Sequence, residues 1–304
     1  MNRSITFLLT TTLLSLALCS GCDGTPRDPR MDDTPTYGRA VVLADEAFKL
    51  MLDDHQLVFN STYPDAQVDI HYMPEAELTR AMLADSVRLV FGAFRPGADQ
   101  AAYFKTRNLS VHSEPVATDA IAVIVAPESE LRTASLTELR NLLSDTSSVG
   151  YHAIFDRNGS GVPRTLVDSL FDGDAGMLRR ASATEGVEQL VTRVAQDPGT
   201  VGFVAFAELS DLDDPACVAL RERIRIIPIS QEPTGAAYLP TQGTLKDGSY
   251  PLRRKVIMLV TEGKSGLGTG FASFVAGHKG QRIILKQGLA PERVPARDVE
   301  IVHP

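Results

Sequence analysis

From Tyr37 onward, short runs rich in Val, Ile and Leu alternate with stretches whose apolar residues fall three and four apart. This alternation is the strongest constraint on the fold, because it requires parallel sheets with crossover helices. Ala40–Leu43 reads as a strand. Phe48, Met51, Leu52, His55, Val58 and Phe59 then line one face of a helix that Tyr63-Pro64 stops. Strand patterns recur at Val68–Tyr72, Val87–Ala93, Tyr151–Phe155, Thr200–Phe206, Arg223–Ile229 and Tyr250–Val260. Helices are expected over 74–85, 98–107, 135–143 and 184–196, with another after Gly161. Ser135 and Glu138 make a capping-box signature at the start of the third. Ile121–Val125 is an unbroken apolar run, the mark of a strand covered on both faces. Two more helical pieces and a strand over Val299–Val302 close the chain, and no internal repeat is visible. The pattern predicts two α/β lobes joined by long strands.

The N-terminus departs from this pattern. Arg3 is the only charge before Asp23, and an uncharged apolar stretch containing Phe7, Leu8, Leu9, Leu13, Leu14 and Leu16 follows it. That stretch is shorter and richer in hydroxyls than a spanning helix and reads as a secretory signal over residues 1–21. It ends in Cys19-Ser20-Gly21-Cys22, which resembles a bacterial lipobox with Cys22 as the acylated residue, although Cys19 stands where Leu is usual. Residues 22–36 carry three prolines, many acids and almost no apolar side chains, so they are expected to form a lipidated, disordered tether. The expected location is the periplasmic or cell-surface face of a bacterial envelope membrane, held there by the lipid.

Charge narrows the partners. Thirty Lys and Arg against 38 Asp and Glu give −8, and removing residues 1–21 takes away one positive charge to leave −9. No basic cluster is present, so nucleic acid is not an expected partner. Three cysteines cannot build a disulfide framework, and Cys217 reads as structural. Other motifs fail on spacing. Gly263-Lys264-Ser265 lacks the P-loop glycine, since Met258 stands at that place, and Ser160 lacks a nucleophile elbow because Asn158 precedes Gly159. The six histidines have no metal-ligand spacing. No cofactor, metal or enzymatic activity is expected.

In open parallel sheets ligands sit beyond the carboxyl ends of strands, where helix N-termini offer unpaired N–H groups to anions. Three loops qualify: Leu43–Glu46, Gly92–Pro96 and Asn158–Arg164. In the third, Gly159 and Gly161 allow close approach of the backbone, Ser160 adds a hydroxyl and Arg164 a forked guanidinium. Spacing alone leaves a plainer reading open, with Ser160 as a helix cap and Arg164 and Arg95 on solvated faces. Asp45 has the same two readings, as a cap or as a ligand group.

Asp119–Val125 with Ser135–Leu139, Asn158–Gly161, Asp197–Phe203, Ser249–Val256 and Gly280–Gly288 follow one another in that order over nearly all of 38–304. Together these strings resemble the phosphate-binding lipoproteins of ABC importers, the PstS-like members of the type II periplasmic-binding-protein superfamily. The resemblance implies two lobes that close on an anion about two hinge strands, near Ile121 and Val256. Lobe I would be 37–119 plus 249–304, and lobe II 120–248. The family's Ser-Asp pair after the third strand falls on Ala93 and Phe94, its Arg before the Gly-Ser-Gly turn on Asp156, and the Thr after it on Val162. Arg95 and Arg164 would then replace the positive charge, and Asp45 or Glu46 the proton acceptor. Asp45, Glu46, Arg95, Ser160, Gly161 and Arg164 are therefore the candidate anion-binding residues.

The expectation is a monomeric solute-binding protein that takes inorganic phosphate or a related oxyanion and delivers it to an ABC permease complex. The alternative is a sensor or adhesin lipoprotein that reuses the fold with a different ligand. An extracytoplasmic phosphate-ester hydrolase would need a metal cluster or an activated nucleophile that no motif supplies.

Overall fold

The computed structural model describes residues 33–84, 87–109, 111–144, 150–262 and 265–293. The signal segment, Cys22 and the strand expected at Val299–Val302 lie outside them. In chain order the first part holds β1 (Gly38–Asp45), α1 (Lys49–Thr62), β2 (Ala66–Met73), α2 (Glu75–Ala81), β3 (Val87–Gly92), α3 (Ala98–Thr106) and β4 (His112–Val125). The middle holds β5 (Ala134–Ser135), α4 (Leu136–Leu143), β6 (His152–Phe155), α5 (Gly161–Leu170), β7 (Ala181–Ala183), α6 (Val187–Gln196) and β8 (Thr200–Ala205). It continues through α7 (Pro215–Arg221), β9 (Arg225–Ile226), β10 (Ile229–Ser230), β11 (Ala237–Tyr238) and α8 (Gln242–Asp247). The chain then runs through β12 (Arg253–Val260), α9 (Leu267–Ala276), α10 (His278–Lys286) and β13 (Ala290–Pro291).

The main sheet runs β2-β1-β3-β12-β4-β8-β6-β7, and β4 is the strand that serves both lobes. Its first half, to Ala120, pairs antiparallel with β12; from Ile121 it pairs with β8. The switch falls where the sequence turns from mixed to wholly apolar, and Ile121–Val125 are all fully buried. Parallel pairs β1–β2 and β1–β3 build one lobe, and β6–β7 and β6–β8 the other. The return crossing comes earlier than Val256. Tyr250 donates its hydroxyl to the Ile121 carbonyl (2.7 Å) and the Ile121 amide donates to Leu252 (2.8 Å), while Arg253 onward already pairs with Ala120 and its neighbours.

The cores explain these elements. Phe48 from the turn before α1, Phe59 from α1 and Phe271 from α9 are buried with Phe91 of β3, and the Phe59 and Phe271 rings meet edge-on at 5.2 Å. The capping box forms as the sequence predicts, with the Glu138 amide donating to Ser135 Oγ (3.2 Å) and the Ser135 amide to Glu138 Oε2 (2.7 Å). Several elements escaped the periodicity, among them the first half of β4, β7, α7 and α8. The first half of β4 contains Pro115 among polar residues, and the sheet admits it at a register shift beside Ile257. Helix α7 is announced only by its cap, Asp214, which accepts from the Cys217 amide (2.9 Å), and by Pro215 at its first position. The stretch expected as one strand at Arg223–Ile229 forms two short ones, β9 and β10.

Residues 33–36, expected as the end of the tether, belong to the folded body. Asp33 Oδ1 accepts from the Leu267 amide (2.9 Å) at the start of α9, and Thr34 bridges to Tyr37.

Candidate functional site

The loops that end β1, β2 and β6 meet between the lobes. The Ala76 amide of α2 donates to the Gly159 carbonyl (2.9 Å), and Arg164 Nη2 of α5 donates to the Ala93 carbonyl (2.8 Å). Gly159 turns at φ 74°, a conformation natural to glycine, and brings its carbonyl to that contact. Asp45 leaves β1 with only 1% of its surface exposed, and its Oδ1 accepts from the Ala47 amide (3.1 Å), capping the single 3-10 turn Glu46–Phe48. Ser160 caps α5 through the Val162 amide (3.4 Å) and donates its hydroxyl to Asp156 Oδ1 (2.7 Å).

At the centre lies Arg254, which the candidate set did not include. It stands directly opposite Asp119 across the β12–β4 ladder, is 6% exposed, and donates from Nε to Asp119 Oδ2 (2.9 Å). Asp119 also accepts from the Ala207 amide (2.9 Å). The Arg254 guanidinium rests over the Phe48 ring, 5.4 Å from its centroid. Its Nη1 and Nη2 are buried and have no hydrogen-bond partner among the described residues; the same holds for Asp45 Oδ2 and Asp156 Oδ2. A Cβ on Gly161 would come within 3.0 Å of Arg254 Nη1, so the missing side chain lets that guanidinium approach the start of α5.

Burial sets the protonation of this cluster. It pushes the Asp45 carboxyl up to about 6, against the pull of Arg254 and the Ala47 amide, and Glu75 and Asp156 push the same way. Burial also raises Asp119, opposed chiefly by Arg254, and raises Asp156, opposed by Arg157 and the Ser160 hydroxyl. For Arg254 itself, burial works against the charge, but Asp119 and Asp45 outweigh it and hold the guanidinium protonated.

The other predicted residues lie differently. Arg164 forks onto Glu75 across the lobe boundary, Nε to Oε1 at 2.5 Å and Nη2 to Oε2 at 3.0 Å, and also meets Asp168 (2.9 Å). Glu46 accepts from Arg157 Nη1 (2.6 Å), whose Nη2 donates to Glu208 (2.6 Å), so Glu46 ties the lobes together at the cleft edge. Arg95 is exposed, because its neighbour Phe94 turns inward to pack with Leu78, Met82 and Val90. Asp45, Ser160 and Gly161 are thus brought together around Arg254, while Glu46, Arg95 and Arg164 are turned to other contacts or to solvent. A charge on the inward phase of a strand was the available signal for Arg254, since Arg254 and Val256 share the buried face of β12.

Several cavities lie along the lobes. One of about 400 Å³ opens at the cleft edge beside Glu46, Tyr72, Arg157, Val187 and Glu208. A larger one, about 630 Å³, lies on lobe I, and its Glu114 and Arg293 are already paired to each other (3.1 Å).

A family model described as a PBP superfamily domain matches residues 32–279. No curated protein matches the sequence. Among solved structures the chain is similar to a protein from Clostridium perfringens described as a phosphate ABC transporter substrate-binding protein with bound phosphate. That likeness has 12% identity over 84% of this chain and 100% of the other, with a TM-score of 0.69. It is also similar to an ABC-type phosphate transport receptor from Vibrio cholerae, with 12% identity, the same coverage and a TM-score of 0.64. A third similar structure is the CcmR regulatory domain from Synechocystis in complex with 2-PG, with 15% identity over 79% of this chain and 96% of that one and a TM-score of 0.54. At these identities the likeness is one of fold.

Proposed function

Because this chain belongs to the PBP superfamily, we propose that it is a lipid-anchored, extracytoplasmic solute-binding protein that holds a protonated oxyanion, phosphate, between its lobes for an ABC importer. The observation that carries this reading is the unpartnered edge of Arg254, buried beside the start of α5 and accompanied by an unpartnered oxygen of Asp45 and by Asp156 Oδ2, which has no hydrogen bond and only the Arg157 guanidinium 3.6 Å away. A buried guanidinium with free N–H groups calls for an acceptor, and a buried carboxyl oxygen calls for a proton between it and any anion. Monohydrogen phosphate supplies both, through its bare oxygens and its P–OH. Sulfate carries no proton at neutral pH and would meet two acids with like charge and nothing to share.

In this reading Arg254 is the principal anion donor, the Ser160-Gly161 turn lets the ligand reach the α5 terminus, and Asp45 and Asp156 select for the proton. Glu46 closes the cleft through Arg157 rather than touching the ligand. The phosphate-binding proteins that share the fold support the ligand class, and the two α/β lobes around one crossing strand support closure by a hinge. Calorimetry of the purified full-length chain in detergent against phosphate, sulfate and molybdate tests the reading. Phosphate is expected to bind, and Arg254→Gln to weaken it roughly a hundredfold or more. Equal phosphate binding by the wild type and Arg254→Gln would overturn the assignment.

A further inference from the structure

Glu75 is an acid where an anion site would be expected to exclude one. It sits in the first turn of α2 in lobe I, only 4% exposed, and its side chain reaches across to α5 in lobe II. There both oxygens are held by Arg164, in the two-point fork that suits the oxygens of an oxyanion. Glu75 Oε2 lies 2.6 Å from the position a Cβ on Gly161 would occupy, and Arg254 Nη1 lies 3.0 Å from the same point. The carboxylate thus stands against the opening residue of α5, a ten-residue helix, with a buried and unpartnered guanidinium beside it. A helix terminus, a forked arginine and a second buried arginine together form the surroundings that bound oxyanions occupy.

We infer that Glu75 is the cleft's own occupant, an internal carboxylate that holds the oxyanion's place on Arg164 and α5 and must be displaced before a free anion binds. The inference rests on the anion site proposed above and adds a competitor to it. Displacement frees the Arg164 fork for the incoming ligand, so Arg164 binds the anion only after Glu75 leaves. A tethered competitor acts at high effective concentration and lowers the apparent affinity by the fraction of molecules whose site is free. It also rejects weak oxyanions, because a ligand must offer Arg164 more than a carboxylate does and satisfy Asp45 or Asp156 as well. The ligand class that does so is a tetrahedral oxyanion bearing a proton.

The test is calorimetric titration of phosphate into full-length wild type, Glu75→Gln and Asp168→Asn, with X-ray scattering of each without ligand. Asp168 pairs with the same arginine from its exposed side and serves as the control. Glu75→Gln keeps the side-chain shape and removes the charge. It is expected to bind phosphate at least tenfold more tightly than the wild type and to be more open without ligand, while Asp168→Asn matches the wild type in both. Phosphate binding in Glu75→Gln where the wild type shows none also supports the competitor. If the wild type binds phosphate and Glu75→Gln binds it equally or more weakly, Glu75 is a strut and the inference fails alone. If neither binds, the anion reading itself falls and takes this inference with it. Should Glu75→Gln not fold, Glu75→Asp shortens the reach across the cleft, keeps an acid in the first turn of α2, and reads the same competition.

Discussion

Of the arginines between the lobes, Arg157 and Arg254 have surroundings that differ in kind. Arg157, at the cleft edge, is saturated: Glu46 and Glu208 each take one terminal amino group, and Asp156 lies 3.6 Å from Nε. Arg254, at the centre, meets Asp119 through Nε and leaves both terminal amino groups unpartnered in a dry setting. The saturated arginine joins lobe I to lobe II without help. The unsaturated one is complete only when something else supplies oxygen atoms. At these two arginines, closing the cleft and filling it are carried by different residues, and each can be removed without the other.

The sharpest break is at Arg254. Removing one partner of a buried ion pair leaves the other uncompensated, so Arg254→Gln should cost about 3–5 kcal/mol in denaturant unfolding as well as abolishing tight anion binding. Pairing Arg254→Met with Asp119→Leu removes both charges together. That double variant should recover most of the lost stability yet still fail to bind, which separates the two roles in one pair of measurements.

Asp45 tests the acid side of the central cluster. Its folded-state pKa of about 6 lies above the ordinary 3.8, so Asp45 favours the fold at low pH, and that contribution is lost as pH climbs through about 6. Asn at this position can still accept from the Ala47 amide. Asp45→Asn should therefore be more stable than the wild type above about pH 6, by about 3 kcal/mol, and should lack the wild-type decline between about pH 4 and 6. Thermal unfolding across that range checks it; an equal decline in wild type and variant would mean that Asp45 is solvated.

At the cleft edge the effects shrink. Glu46→Gln weakens one charge-assisted contact of a side chain that is 35% exposed, and should cost about 1 kcal/mol or less while changing phosphate affinity only a few-fold. Arg95→Ala should change neither stability nor binding, since Arg95 is exposed on the loop after β3. A large loss of binding from Arg95→Ala would return that loop to the site.

What the sequence disclosed follows from how local each signal is. The Ser135–Glu138 cap spans three residues, and the Ile121–Val125 run announces by composition alone that β4 enters a buried sheet. The Gly159–Gly161 turn was visible for the same reason, and so was Asp45 at the end of β1. The Asp119–Arg254 pair spans 135 residues and depends on the register of two strands, which no local pattern encodes. Arg164 was singled out as a forked donor to an oxyanion at a helix start, and the structure shows that fork on Glu75. Its partner lies 89 residues away in the other lobe, on a short helix whose acids resemble ordinary first-turn acids.

The central claim is that a buried guanidinium and two buried acids make a site for an oxyanion that brings its own proton. It is tested most directly by titrating phosphate and sulfate, at neutral pH, into the wild type and Asp45→Asn and comparing the affinity ratios. The account predicts that the wild type binds phosphate much more tightly than sulfate, and that Asp45→Asn narrows the gap from both sides, losing phosphate affinity and gaining sulfate. Sulfate binding the wild type as tightly as phosphate, or an unchanged ratio in Asp45→Asn, would contradict it.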